Sequence, residues 1–160
     1  MLYLQQNQIA KIENISHLTN LVEINLAQNH ITKVEGLRGL DNLKNLDLKD
    51  NLISTVDDCQ ELLELPSLAS LDLKSNNIAD RDEKILEFFG QFADLKSLYL
   101  KGNPCVRFIS MYRKRITAEM PSLTYLDDRP IYEIERITID AFKRGGAEEE
   151  ERVRSEYQQK

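Results

Sequence analysis

Five asparagines recur along the chain with a leucine or isoleucine at fixed offsets from each. They are Asn7, Asn29, Asn51, Asn76 and Asn103, separated by 22, 22, 25 and 27 residues. Three positions before them stand Leu4, Leu26, Leu48, Leu73 and Leu100, and five before stand Leu2, Ile24, Leu46, Leu71 and Leu98. Eight before stand Leu21, Leu43, Leu68 and Leu95, and two after come Ile9, Ile31, Ile53, Ile78 and finally Cys105. Self-similarity at a period of this length means stacked coils, each burying its apolar face on the next. A chain so patterned is restricted to a solenoid before any other feature is considered.

The pattern, L-x-x-L-x-L-x-x-N-x-I, is that of the leucine-rich repeat. Leu-x-Leu has the period of a strand, so both leucines face inward and the residue between them faces the concave surface. The asparagine ends the strand and turns inward, where its amide can both donate to and accept from backbone groups of neighbouring coils. The expected fold is therefore α/β: a solenoid with a short-stranded parallel sheet on the concave face and a 3₁₀ or helical convex face. The five asparagines are expected to form a structural ladder. The three-residue spacing in Ile12-x-x-Ile15-x-x-Leu18 and Val34-x-x-Leu37-x-x-Leu40 predicts tight 3₁₀-like returns. The longer fourth and fifth repeats have room for helices, over Asp57 to Leu65 before Pro66 and over Asp82 to Phe92.

Residues 1–105 thus read as about five repeats, the first truncated. Residues 106–131 read as a capping repeat: a helix from Val106 to Met120, with Phe108, Ile109, Tyr112 and Ile116 on its apolar side, then a last strand in Leu123-Thr-Tyr-Leu126-Asp127. Residues 132–160 read as a trailing helical extension. Glu133 to Arg144 carries Ile134, Ile137, Ala141 and Phe142 on one face and stops at Gly145. Ala147 to Lys160 is charged, with Glu148/Arg152, Glu150/Arg154 and Glu156/Lys160 at i,i+4 spacing, and reads as an exposed helix. The sequence opens directly on the Leu2–Leu4 strand without a polar cap. This reads as a solenoid lacking an upstream element, the alternative being a naturally short first repeat left as an edge strand.

Composition excludes several functions. A net charge of −6 and a pI near 5.0 argue against nucleic acid as the partner. No apolar run has the length a bilayer span needs, so no membrane partner is expected. Met1 to Asn7 lacks the charged start and apolar core of a secretory leader. Cys59 and Cys105 are far apart and form no disulfide framework, which fits a reducing compartment; both occupy core positions. His17 and His30 have no metal-like partner near them in sequence, and no phosphate loop, H-E-x-x-H, C-x-x-C or nucleophile elbow is present. No cofactor, metal or catalysis is expected.

What remains is surface. The column four before each asparagine reads Tyr3, Asn25, Asp47, Asp72, Tyr99 and then Asp127; the column two before reads Gln5, Ala27, Lys49, Lys74 and Lys101. These files could neutralise each other across strands, but three stacked lysines repel, and Tyr set among charges is the composition of a binding hot spot. Tyr99, Tyr125, Lys101, Lys74 and Asp72 are the candidate partner-binding residues, with Lys74 and Lys101 expected to steer an acidic segment. Arg107, Arg113, Lys114 and Arg115 form a second basic group, read either as a docking patch or as a solvated helix face.

The 22-residue repeats resemble the SDS22-like subclass shared by a phosphatase regulatory subunit, a spliceosomal subunit and several ciliary proteins. Gly102-Asn103-Pro104, Arg107 with Ile109, Tyr112-Arg113, Leu123-Thr-Tyr-Leu-Asp-Asp-Arg-Pro130, Arg136, and Ala141 before Gly145-Gly146 resemble the leucine-rich-repeat axonemal dynein assembly factors. The resemblance implies a cytoplasmic scaffold of ciliated or flagellated cells that helps preassemble dynein arms by binding dynein chains, chaperones or co-chaperones; the chain itself is expected to be monomeric. It assigns no site residue. A regulatory subunit that docks a protein phosphatase and a structural component of the axoneme remain as alternatives.

Overall fold

A computed structural model describes residues 1–160. Seven short strands form one sheet in chain order: β1 (Leu2–Tyr3), β2 (Glu23–Asn25), β3 (Asn45–Asp47), β4 (Ser70–Asp72), β5 (Ser97–Tyr99), β6 (Tyr125–Leu126) and β7 (Arg129–Pro130). The first six run parallel, and β7 turns back antiparallel on β6. Ile24, Leu46, Leu71, Leu98 and Leu126 lie side by side in register and are fully or almost fully buried. One continuous hydrophobic core runs the length of the solenoid, built mainly from Leu and Ile.

The asparagines tie each coil to the one before it. Asn51 Nδ2 donates to the carbonyls of Leu26 (2.9 Å), Leu48 (3.0 Å) and Lys49 (3.3 Å), and its Oδ1 accepts from Ile31 N at 3.0 Å. Asn29 repeats the set with Leu4 and Ile9, Asn76 with Leu48 and Ile53, and Asn103 with Leu73 and Ile78. All four are buried. Asn7 is exposed and reaches only its own coil, at Leu4 O and Gln5 O. The residue before each asparagine sits in the left-handed region: Gln6, Gln28, Asp50, Ser75 and Gly102. That conformation swings the amide back under the strand, and the penalty it carries for a side chain is met at four of the five coils.

The convex side departs from expectation in hydrogen-bond period. Val56–Glu64 is a 3₁₀ helix, capped by Thr55 and ended before Pro66, rather than the α-helix its length allows. It packs Val56, Cys59 and Leu62 inward, and three-residue spacing places all three on one face. Asp82–Gly90 is a true helix, α1, burying Ile85, Leu86, Phe88 and Phe89.

The cap is also divided differently. Instead of one helix from Val106 to Met120 there are two, α2 (Pro104–Phe108) and α3 (Tyr112–Glu119), broken at Met111 with φ 52°. The break turns Phe108 outward, half-exposed, while Ile109 and Ile116 stay buried. The trailing helix α4 (Glu133–Gln158) is interrupted at Gly146, not ended at Gly145. At φ 71°, ψ −156° the backbone occupies a region open essentially to glycine alone. The chain then folds back instead of projecting into solvent: Glu150 meets Lys114 at 2.8 Å with its side chain only 12% exposed. Of the three expected helix pairs only Glu150/Arg154 forms; Arg152 pairs with Glu149 and Glu156.

Replacing Asn51 by Ala leaves a buried N–H and up to three carbonyls short of a partner, at a cost of about 3 kcal/mol or roughly 6–12 °C in Tm. Asn7→Ala, with no coil stacked behind it, should shift the melt by little. Thermal denaturation of the two variants checks this; equal losses would deny that inter-coil bonding is what the asparagine contributes.

Candidate functional site

Three files of side chains cross the concave sheet. The middle file runs Asn25, Asp47, Asp72, Tyr99 in strict register. Beside it lies Glu23, Asn45, Ser70, Ser97, Tyr125, and on its other flank Ala27, Lys49, Lys74, Lys101.

The middle file has a structural duty that sequence inspection missed. Asn25 Oδ1 accepts from Ala27 N (3.0 Å), Asp47 Oδ1 from Lys49 N (3.0 Å) and Asp72 Oδ1 from Lys74 N (2.9 Å). Each closes an Asx turn over the strand end, a role that Asn and Asp fill best. Tyr99 cannot do this. Its coil is served from the cap: Asp127 Oδ1 accepts from Leu100 N (2.8 Å) and Lys101 N (2.9 Å), and Asp127 Oδ2 accepts from the Tyr112 hydroxyl at 3.0 Å. Asp127, in its left-handed conformation, is thus a brace and not a free member of the acidic file. Burial first, then Asp127, holds the Tyr112 phenol protonated far above its usual range. The sequence signal for all this was the Asx two residues before an unpaired strand-end amide.

That brace frees position 99 for an aromatic ring. Tyr99 and Tyr125 lie with ring centroids 5.7 Å apart at 45°, both partly exposed. Lys74 Nζ sits 5.0 Å from the Tyr99 centroid and 3.9 Å from Asp72. The five candidate residues are therefore brought together in one patch. The lysines, however, are engaged: Lys74 by Tyr99 and Asp72, and Lys101 by Asp128 at 3.1 Å. Each lysine expected to steer an acidic segment thus has a carboxylate of its own chain beside it, Asp72 at 3.9 Å and Asp128 at 3.1 Å. Burial raises the Tyr99 phenol, with Tyr125 and Asp72 adding to the rise.

The second basic group is mostly consumed inside the chain. Arg113 forms a two-point pair with Glu135 and also donates to Leu126 O and Pro130 O. Lys114 meets Glu150 and lies 4.4 Å from the Phe142 ring centroid, and Arg115 pairs with Asp82 at 2.6 Å. Arg136, unremarked in sequence as a structural residue, donates to the carbonyls of Thr117, Met120 and Leu123 and so closes the C-terminal end of α3. Cys59 and Cys105 are buried with their thiols held protonated by desolvation, Cys105 pushed up to about 12. Neither has the electropositive, exposed setting of a reactive thiol. His17 and His30 are both exposed.

Comparison with known proteins follows this architecture. The leucine-rich-repeat family model matches residues 1–153. The chain belongs to the leucine-rich-repeat family. Within it, the chain is 42% identical over 103 residues to the leucine-rich repeat-containing protein ODA7 of Chlamydomonas reinhardtii, covering 64% of this chain and 23% of that protein. It is 41% identical over 105 residues to human dynein axonemal assembly factor 1, covering 64% of this chain and 14% of that protein. The resemblance to leucine-rich-repeat axonemal dynein assembly factors therefore holds, and the chain spans less than a quarter of either relative. Among solved structures, the Drosophila melanogaster SNF/U2A′ complex contains a chain with TM-score 0.75 and 26% identity, covering 96% of this chain and 86% of that one. An internalin of Listeria monocytogenes matches at TM-score 0.51 and 25% identity, over 78% of this chain and 40% of that one. No helix of the chain is long and apolar enough to cross a membrane.

Asp72 generates a pH prediction. Burial raises its carboxyl above the usual range; the Lys74 amide works against this, and the Asp47 carboxylate opposite adds to it. The fold thus binds the Asp72 proton more tightly than the unfolded chain does. Stability from this residue is complete below its unfolded pKa and is lost as pH rises through the folded one. Asp72→Asn keeps the Asx turn, as Asn25 does, and removes the charge. Its Tm should exceed the parent's at pH 7 and equal it near pH 3, measured by thermal melts across that interval. A lower Tm at pH 7 would mean that the Lys74 pairing outweighs burial.

Proposed function

We propose that this chain is a non-enzymatic, protein-binding scaffold acting in the cytoplasmic preassembly of axonemal dynein arms. The observation that carries the binding half is the Tyr99–Tyr125 pair, set on an interior stretch of parallel sheet whose backbone is fixed by the asparagine ladder and by the Asp127 brace. Aromatic rings presented on a preorganised surface lose little conformational entropy on docking. The relatives named dynein axonemal assembly factor 1 support a role in dynein arm assembly; on this reading the partners are dynein chains, chaperones or co-chaperones, and the setting is a ciliated or flagellated cell. The pattern of engaged side chains favours the concave face over the cap, because Arg113, Lys114 and Arg115 already have partners within the chain.

Tyr99→Ala should weaken partner binding by at least about 1 kcal/mol while leaving the melt in place. The direct test is an affinity capture from ciliated-cell cytosol with the parent chain and its Tyr99→Ala/Tyr125→Ala form. Dynein chains and chaperones held only by the parent support the proposal. A phosphatase catalytic subunit in their place would favour the regulatory reading, and retention in detergent-extracted axonemes would favour a structural one. Identical captures by both forms would move the surface off the concave sheet.

A further inference from the structure

The concave sheet has an acidic half adjoining the tyrosines, and its carboxylates are only partly satisfied. Asp47 and Asp72 face each other across neighbouring parallel strands, a like-charge pairing that costs stability. Each spends Oδ1 on the amide two residues on. Asp72 Oδ2 has one loose cation, Lys74 at 3.9 Å, which also lies against the Tyr99 ring. Asp47 Oδ2 and the Glu23 carboxylate have no hydrogen-bond or ion-pair partner within the chain. The lysine file occupies one flank of these carboxylates. On the other flank stand Asn45 and Ser70, and a shallow hollow of about 330 Å³ over β2–β4 is lined by them together with Glu23, Asp47, Asp72, Lys74 and Tyr99.

We propose that the docking surface takes a basic, apolar segment of a partner protein, in which an arginine lies over Ser70 and pairs with Asp47 and Asp72 while a neighbouring aliphatic side chain rests on the Tyr99–Tyr125 pair. The inference rests on the concave-surface reading above and reverses the sign of the partner expected from the lysines. A guanidinium suits the site better than an ammonium. Its planar fork can reach two carboxylates on adjacent strands, whose spacing of about 4.8 Å it spans. Stacking on the exposed part of the Tyr99 ring adds cation–π attraction. The Ser70 strand and the Tyr99 strand are neighbours, about 4.8 Å apart, which is close to the distance between residues three or four apart on a helix. A helix of the partner presenting Arg and Leu at that spacing therefore meets both halves of the surface at once. Relief of the Asp47–Asp72 repulsion is then part of what binding gains.

The test uses two short alanine-based helical peptides, one with Arg and Leu four apart and one with Glu in place of the Arg, titrated into the ¹⁵N-labelled chain. The Arg peptide should shift amides of Asn45–Asp47, Ser70–Asp72 and Tyr99, weaken with added salt, and lose tenfold or more in affinity to the Asp47→Asn/Asp72→Asn form. That variant keeps both Asx turns, so a native amide spectrum shows it folded. The Glu peptide should bind at least tenfold more weakly than the Arg peptide. Equal binding of the two peptides, or an Asn variant that binds the Arg peptide as well as the parent, overturns the charge assignment. If Tyr99→Ala then still reduces binding of both peptides, the concave docking reading stands without it. If neither peptide perturbs the concave amides, both readings fail together.

Discussion

One buried side-chain amide per coil holds this molecule in shape. A solenoid has no long-range contacts to fix its curvature, so each coil must be registered against the last by local means. The asparagine does so by bonding in both directions at once, accepting from an amide of the preceding coil and donating to carbonyls of that coil and its own. Were these groups left to water, the turn would have to open to admit it, and the leucines beneath would lose their cover. The left-handed residue before each asparagine is the local strain that this bonding sustains. Because the amide and the inward leucines take care of stability, the residues on the outer surface of the strands are at liberty to vary.

They vary within a second constraint. Strand-end amides on the concave side need an acceptor, and Asn25, Asp47 and Asp72 each provide one two residues earlier. Placing an aromatic ring in that file removes the acceptor, and at Tyr99 the loss is made good by a carboxylate from the next strand. The compensation is a local rule broken at a surface position and repaired from outside the repeat. Departures of this kind concentrate where function, not folding, selects the residue. The same logic explains the unpaired oxygen of Asp47: a side chain kept for its turn leaves a charge on the surface that its own chain does not neutralise.

How legible these features were depends on the range of the interaction behind them. The coil frame was plain in Leu26, Leu48, Leu73 and Leu100, because burial at a fixed offset admits few residue types. So was the inward turn of Asn29, Asn51, Asn76 and Asn103, whose amides both donate and accept. The patch at Tyr99, Tyr125, Lys74, Lys101 and Asp72 could be named because strand register carries period-2 positions into columns. What those lysines do there could not, since Lys74 against the Tyr99 ring and Lys101 against Asp128 depend on rotamers and on a hairpin 27 residues downstream. The split at Met111 and the reversal at Gly146 escaped for a similar reason. A glycine marks where a helix can break but not in which direction the chain leaves. The pairing of Lys114 with Glu150, 36 residues apart, follows only once that direction is set.

The position of the candidate surface along the solenoid follows from the same nearest-neighbour mechanics. A coil is as rigid as the two coils that flank it, and β4 and β5 are flanked on both sides by bonded strands. Beyond them the cap is secured by long-reach contacts: Arg113 joins α3 to the β6–β7 hairpin and α4, and Arg136 crosses from α4 to three carbonyls at the end of α3. These guanidiniums lie off the concave face and add nothing to its chemistry. They hold β6 in place, and β6 carries both Tyr125 and the strand end from which Asp127 braces the Tyr99 coil. The tyrosine pair thus sits on strands that are bonded on both sides, the setting in which a docking surface keeps its geometry before the partner arrives. Arg113, which in sequence looked like part of a rival binding patch, is instead one of the contacts that hold β6 and its tyrosine in place.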